Sequence, residues 1–324
     1  MSKKIAVVTG CASFIGINLT QKLLSNGWYV YGIDKLTYVA NSSDLKKLFT
    51  NNNKFKFIHE DISKITWLPE CDVVFNLAAE SDVDNGNVDC YNFVQSNIDG
   101  VRNLLSIINK RIVIKADKPL FFHMSTDEVY GDTLEKVFDE SAILNPSNPY
   151  SATKAGADLL IHSWARTHGL DYIIARPSNN YGPNQYPEKL IPLSVKRLSR
   201  GKKIKLHNNG DPVRTWTHVE DTCDAIITIY EKGERNRVYN ISSEFEQKNL
   251  DTVYKIINTY FMGRVNIPIP DYSEHIDFTY SREGQDVRYA ISCVPLRELG
   301  WKPKKEFDVE IVKLVNYFKE RFVW

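Results

Sequence analysis

Cysteine is scarce in this chain: five in 324 residues, Cys11, Cys71, Cys90, Cys223 and Cys293, an odd number without a C-x-x-C pair. That spacing signals neither a disulfide framework nor a zinc site, and it predicts a reducing, cytoplasmic setting with no metal. Long apolar runs are missing as well. No stretch approaches the roughly 20 residues of a membrane-spanning helix. The apolar run that follows Met1 to Lys4, Ile5-Ala6-Val7-Val8-Thr9, is too short for the core of a signal peptide. Nor is there an excess of charge: Lys and Arg number 41 against 40 Asp and Glu, a formal net charge of +1. Neither nucleic acid nor a membrane is therefore expected as a partner, and any bound anion has to be met by a local constellation.

What the chain does have is apolar content, 43% hydrophobic and 12% aromatic, enough for a full core. Short β-branched and aromatic runs alternate with helical patterns through the first half, the signature of βαβ units and a parallel sheet. The expected strands are Ile5 to Thr9, Trp28 to Ile33, Phe55 to His59, Asp72 to Asn76, Leu120 to Met124 and Tyr172 to Ala175. Ile15, Leu19 and Leu23 mark a helix closed by Asn26-Gly27, and Val94, Ile98, Val101, Leu105 and Ile108 mark another. After Arg176-Pro177 the texture turns to Pro, Asn and short turns. Residues 1–177 are thus read as one unit and 178–324 as mainly a smaller lobe, with a strand near 237–242 returning to the main sheet.

Three constellations carry chemistry. In "VVTGCASFIG" a strand runs into a glycine turn and a helix start, Gly10-x-x-Ser13-x-x-Gly16, where backbone N–H groups and the positive helix end can meet a pyrophosphate. Asp34 ends the second strand in "VYGID"; it is either a turn residue or the carboxylate that accepts from a ribose 2′-OH and repels a 2′-phosphate, favouring NAD over NADP. Asp61-Ile62, after the third strand, would lie beside the adenine. Tyr150-x-x-x-Lys154 puts a phenol and an ammonium on one helix face, a common surface pair but also a way to make a base. In "MSTDEVYGD" two adjacent acids, Asp127 and Glu128, stand just behind a buried-looking strand. Like charges resist burial together, so these side chains either stay in water or perform separate tasks.

The segments "TGCASFIG", "DKLTYVAN", "NLAAESDVD", "STDEVYGD", "YSATKAGAD", "RPSNNYGPNQYPEKLIP", "GDPVRTWTHVED" and "REGQDVRYAI" span nearly the whole chain. In them the sequence resembles the extended short-chain dehydrogenase/reductase family, and within it the nucleotide-sugar 4,6-dehydratases. The resemblance implies an α/β fold, a Rossmann-type doubly wound parallel sheet with a smaller C-terminal substrate-binding lobe. It implies that Gly10, Ser13, Phe14, Ile15, Gly16, Asp34, Asp61, Ile62, Ala78, Ala79, Tyr150 and Lys154 hold NAD. It also implies the chemistry: Tyr150, kept ionised by Lys154, takes the C4 hydroxyl proton while Thr126 bonds the C4 oxygen. Glu128 then removes the C5 proton and Asp127 protonates the departing C6 hydroxyl. Elimination needs one acid and one base on the same short arc of substrate, which gives the adjacent acids different roles.

By the same resemblance Ser81, Asn179, Glu188, Lys189, Leu190, Arg214, Asn249 and Arg288 fall at the nucleotide-sugar site, although Arg214 and Arg288 taken singly also read as surface ion pairs. His207 either flanks the pyrimidine or is a turn histidine. A homodimer is implied, packed through the helix carrying Val94 to Ile108 and the one following Tyr150. Ser13 stands where the pattern has glycine, Asp82 and Asn85 replace a histidine and an arginine, and Pro177, Ser281, Glu283, Gln285 and Val287 also depart from the bacterial dTDP-glucose enzymes. "YGPNQYPEKLIP" is closer to the eukaryotic enzymes and inclines the substrate to UDP-glucose over dTDP-glucose, with a product that feeds rhamnose-type deoxysugars. Two rival readings remain: a C4-epimerase on the same scaffold, and a non-catalytic NAD-sensing protein.

Overall fold

The computed structural model describes residues 4–114, 118–281 and 286–321. Its strands, in chain order, are β1 (Ile5–Thr9), β2 (Tyr29–Asp34), β3 (Phe55–His59), β4 (Val73–Asn76), β5 (Leu120–Met124), β6 (Tyr172–Pro177), β7 (Asn179–Tyr181), β8 (Ile204–Lys205), β9 (Val213–His218), β10 (Arg237–Ile241), β11 (Glu246–Lys248) and β12 (Ile276–Asp277). Seven of them form one parallel sheet in the order β10-β6-β5-β4-β1-β2-β3.

Period-two alternation splits that sheet into two cores. Ala6, Val8, Phe75 and Phe122 point to one side, against Leu19 and Leu23 of the helix Phe14–Ser25 and Ile226 of the helix Val219–Lys232. Val7, Val74, Phe121 and Ile174 point to the other, against Leu105 and Ile108 of the helix Gly100–Val113 and Ile161 of the helix Pro149–His168. Strand order reverses between β1 and β4, so a crevice opens at their carboxyl ends, where ligands bind in such sheets.

The remaining strands build a smaller body over that crevice. β11, β9 and β7 make a three-stranded sheet, β12 and β8 a two-stranded one, and Tyr181, Val195, Val253 and Phe318 sit in their core. β10 lies late in the chain, yet it pairs in parallel with β6, Arg237 opposite Ile173.

One element differs from its periodicity. Val94 to Ile108 predicts a continuous α-helix, but Val94–Asp99 is wound as a π-helix before the α-helix resumes at Gly100. The wide turn leaves Val94 at 41% exposure. It also turns Asn97 inward, where its amide exchanges hydrogen bonds with the Glu80 backbone at 2.9 and 3.0 Å and donates to Thr153 Oγ1 at 2.9 Å. A single side chain thereby fastens the segment after β4 to the Tyr150 helix, and such bulges often lie at functional sites. Among the described residues no helix is long and apolar enough to cross a membrane, and no group of three or more His, Cys, Asp or Glu is placed to hold a metal.

Candidate active site

Thr9 closes β1, and Gly10 follows at φ +68°, where a Cβ would stand 2.8 Å from the Ala78 nitrogen. Only glycine permits that approach of backbone to backbone. At Gly16 a Cβ would lie 1.9 Å from the Gly10 oxygen, which keeps the helix start tight against the turn. Ser13 is the N-cap of the helix Phe14–Ser25: its Oγ accepts from Gly16 N at 3.3 Å, so the departure from glycine has a local structural use. Asp34, at the end of β2, accepts from Ala12 N at 2.9 Å and Leu36 N at 2.8 Å. Burial raises its pKa while those two hydrogen bonds oppose the rise. Gly10, Ser13, Asp34, Asp61, Ile62 and Ala78 line one cavity, together with Ala79. A glycine cradle, a helix N-terminus and a carboxylate at the second strand's end fit a dinucleotide.

Ser13 and Ala79 also border a larger cleft of about 360 Å³, which brings Thr126, Asp127, Glu128, Tyr150 and Lys154 together with Phe14 and Ile15. Thr126 ends the run from β5 and caps the short 3-10 turn Asp127–Tyr130, accepting from Glu128 N at 3.3 Å. That turn carries the two adjacent acids into different surroundings. Asp127 is 2% exposed. Its Oδ1 accepts from Thr126 Oγ1 at 3.3 Å, and its Oδ2 has no hydrogen-bond partner. Burial, then the Glu128 charge, push its pKa up to about 8 against the pull of Arg214. Burial raises Glu128 too, but Arg214 and a hydrogen bond from Asn148 favour its ionised form. Asp127 is thus built to hold a proton, and Glu128 is supplied with groups that welcome its charge.

Tyr150 is placed by the helix Pro149–His168, whose start is fixed by an Asn148 and Ser151 capping box. Burial and the charge of Glu128 raise the phenol's pKa, and a hydrogen bond to Thr126 lowers it. Lys154, one turn on, donates from Nζ to the Met124 carbonyl at 2.7 Å and lies 3.4 Å from His123 Nε2. Burial lowers its pKa to about 8, with Asp158 pulling the other way.

Ser81, Asn179, Glu188, Lys189 and Arg214 line the same cleft. Asn179 Oδ1 is buried with no hydrogen-bond partner, and Lys189 Nζ donates to the Ser81 carbonyl at 3.1 Å. Leu190, His207, Asn249 and Arg288 are not among its lining residues, nor is Gly16. Leu190 and Asn249 begin helices, His207 packs edge-on to Tyr280, and Arg288 is closed in an ion pair with Glu246 at 2.6 and 2.9 Å.

Several side chains of the site were not foreseen. Asn148 Nδ2 lies 3.4 Å from both Glu128 Oε2 and Asp286 Oδ2, and the Tyr289 hydroxyl bonds Asp286 and stands 3.5 Å from Glu128. Tyr38 donates to Glu188 at 2.9 Å and accepts from Asn85 at 3.3 Å, tying the cleft-lining Glu188 to the helix Val83–Val88. "REGQDVRYAI" is legible as a motif, but no periodicity or charge pattern within it shows that Asp286 and Tyr289 reach back to Glu128.

Comparison with known proteins agrees with this geometry. The family described as GDP-mannose 4,6 dehydratase matches residues 7–314. The dTDP-glucose 4,6-dehydratase of Salmonella typhimurium is 38% identical, over 98% of this chain and 93% of its own. The low-salt glycan biosynthesis protein Agl12 of Haloferax volcanii is also 38% identical, over 96% and 97%. Among solved structures, the Streptomyces venezuelae dTDP-glucose 4,6-dehydratase DesIV, determined with NAD and TYD bound, superposes with a TM-score of 0.87 at 33% identity, covering 98% and 97% of the chains. The UDP-glucuronic acid 4-epimerase of Bacillus cereus, determined with UDP-glucuronic acid and NAD, superposes with a TM-score of 0.86 at 26% identity, covering 98% and 99%.

Proposed function

The chain belongs to the GDP-mannose 4,6 dehydratase family, and from that membership we propose that it is an NAD-dependent hydro-lyase acting on a nucleoside-diphosphate glucose, with a 4-keto-6-deoxy sugar nucleotide as product. The observation that carries this reading is the unlike environment of Asp127 and Glu128 in one cleft. Bound NAD supplies the hydride acceptor for C4 and the hydride donor for C6; Gly10, Ser13, Asp34 and Ala78 would hold it. Tyr150 takes the C4 hydroxyl proton, and Lys154 favours the phenolate from the adjacent turn. Thr126 orients the C4 oxygen. The ketone acidifies C5, Glu128 removes that proton, and Asp127 delivers the proton with which the C6 hydroxyl leaves as water.

A general acid beside a general base on one short arc of substrate is what elimination needs, and Asp127 and Glu128 stand there in unlike surroundings; inversion at C4 has no use for such a pair. That difference favours dehydration over the epimerase reading. For the nucleotide, the dTDP-glucose relatives and the "YGPNQYPEKLIP" segment point to a pyrimidine, dTDP or UDP, and Ser81, Asn179, Glu188, Lys189 and Arg214 are proposed to contact it. The unit 1–177 with β10 serves the cofactor and 178–324 mainly the sugar nucleotide. A cytoplasmic homodimer is proposed through the helices 91–113 and 149–168, whose outer faces carry Tyr91 and Leu159 at 66% and 61% exposure.

Incubation of the purified protein with dTDP-glucose and UDP-glucose, followed by product mass, tests the reading. Loss of one water without accumulation of reduced cofactor supports it, and the faster nucleotide identifies the base. An unchanged mass with C4 inverted would replace it with the epimerase reading.

A further inference from the structure

Lys154 is not an isolated cation on a helix. Its amine faces a buried polar cluster that the reaction scheme above leaves unused: His123 on β5, Asp158 on its own helix, Arg176 on β6, and Tyr130 in the turn beyond β5. Hydrogen-bond directions in this cluster can be followed from a fixed end. Thr9 Oγ1 accepts from the Ala78 backbone N–H at 3.2 Å and donates its own hydrogen to Asn76 Oδ1 at 2.6 Å. The Asn76 amide nitrogen therefore faces His123 Nδ1, at 3.0 Å. Nδ1 has to accept, and the ring proton belongs on Nε2. His123 is fully buried, and burial with the neighbouring charges of Lys154 and Arg176 keeps it neutral.

The protonated Nε2 looks at two groups. Lys154 Nζ is 3.4 Å away, and Asp158 Oδ1, a buried oxygen with no hydrogen-bond partner, is 3.9 Å away. The other Asp158 oxygen is fully engaged, by Ser125 Oγ at 3.0 Å and by Arg176 Nε and Nη2 at 3.0 Å each. We propose that His123 is a positioning residue for Lys154: locked in the Nε2–H tautomer by Ala78, Thr9 and Asn76, it turns a donor toward the amine and lowers its hold on a proton, while Asp158 raises it. The Asn76–Thr9 branch ends on a backbone N–H, which cannot release its proton, so this branch tunes Lys154 and conducts no proton. This rests on the reading of Lys154 as the partner of Tyr150. The charged and titratable groups around Lys154 are His123, Asp158, Arg176, Tyr130 and Tyr150, with Asp127 and Glu128 beyond the phenol; the helix 91–113 contributes Asn97 through Thr153.

Two measurements test it. His–Met occurs once in the chain, at 123–124, so ¹³C,¹⁵N-His with ¹⁵N-Met labelling picks out this dipeptide and, through the His spin system, the His123 ring nitrogens in the holoenzyme. Ring ¹⁵N shifts are expected to show Nε2 protonated and Nδ1 bare, unchanged across roughly pH 6 to 9; the opposite tautomer overturns the proposal whatever the enzyme's activity. The basic limb of the kcat profile, expected at about 8 for Lys154, moves up in His123→Phe and down in Asp158→Asn, each by about one pH unit. Lower kcat at every pH with the limb in place, or a shift of the wrong sign, overturns it. Should either variant fail to fold, the tautomer in the native chain decides. Absence of turnover on both sugar nucleotides would instead sink the dehydratase reading and leave the tautomer result standing.

Discussion

The Arg214 guanidinium lies 4.7 Å from the centre of the Tyr289 ring, and the Val213 and Asp286 carbonyls take its Nη1 and Nη2 hydrogens at 2.8 and 3.1 Å. Stacking and main-chain bonds fix this cation beside the Asp127 and Glu128 carboxyls, both of which it draws toward ionisation. Arg214→Gln is expected to raise the pKa of both. With Glu128 as the proposed base, acting ionised, the acid limb of kcat/KM is expected to move to higher pH and the rate at neutral pH to fall roughly 100-fold. A pH–rate profile checks this; a raised KM with an unmoved limb would assign Arg214 to nucleotide binding alone.

Asp127 should leave a signature in stability as well. Its folded-state pKa is about 8 against an ordinary value of 3.8. Between those values the folded chain holds a proton that the unfolded chain has released, so this group's contribution to stability falls as pH rises through the window and levels off above it. Asp127→Asn cannot ionise. Thermal melts are expected to show the variant gaining on the wild type from pH 5 to pH 8, a window set by the same shift. Its kcat should fall by roughly 10² to 10⁴ with the general acid removed.

Asp34 spends both oxygens on Ala12 N and Leu36 N, so it shapes the glycine turn as well as facing the cavity. Asp34→Asn is predicted to weaken NAD binding by roughly tenfold, about 1.4 kcal/mol, and to narrow the preference for NAD over NADP, because the charge that repels a 2′-phosphate is gone. Fluorescence titration of the cofactor-free protein with both dinucleotides measures it. An unchanged NAD to NADP ratio would leave Asp34 with its turn role only.

Tyr38 joins Glu188, which lines the cleft, to Asn85 of the helix Val83–Val88. Tyr38→Phe removes both bonds with little change in shape. Faster cofactor exchange and a KM raised severalfold are expected, with kcat nearly unchanged, because the hydroxyl touches none of Thr126, Asp127, Glu128 or Tyr150. Stopped-flow cofactor release and steady-state kinetics separate the two effects.

How far the sequence leads depends on whether an interaction is local. Gly10, Ser13 and Gly16 lie within one turn, and the two-residue alternation of Ala6, Val7 and Val8 already encodes a sheet buried on both faces. Asp127 and Glu128 are readable because adjacency itself is anomalous. The π-turn at Val94–Asp99 is not, since the four-and-three spacing of Val94, Ile98 and Val101 suits an ordinary helix and the contacts that accompany the bulge, Asn97 with Glu80 and Thr153, are tertiary. Arg288 shows the same limit: the sequence admits both a place at the nucleotide-sugar site and a surface ion pair, and its partner Glu246 comes from a distant segment. His123 meets Asn76, Lys154 and Asp158 from three separate segments, a convergence no single stretch of sequence contains.

The central claim is that one cleft oxidises C4, eliminates water across C5 and C6, and returns the hydride to C6. A sugar nucleotide deuterated at C4 tests it in a single product analysis. The account predicts a product one water lighter that retains the deuterium, now on C6. Deuterium still at C4 of an undehydrated, inverted sugar would contradict it.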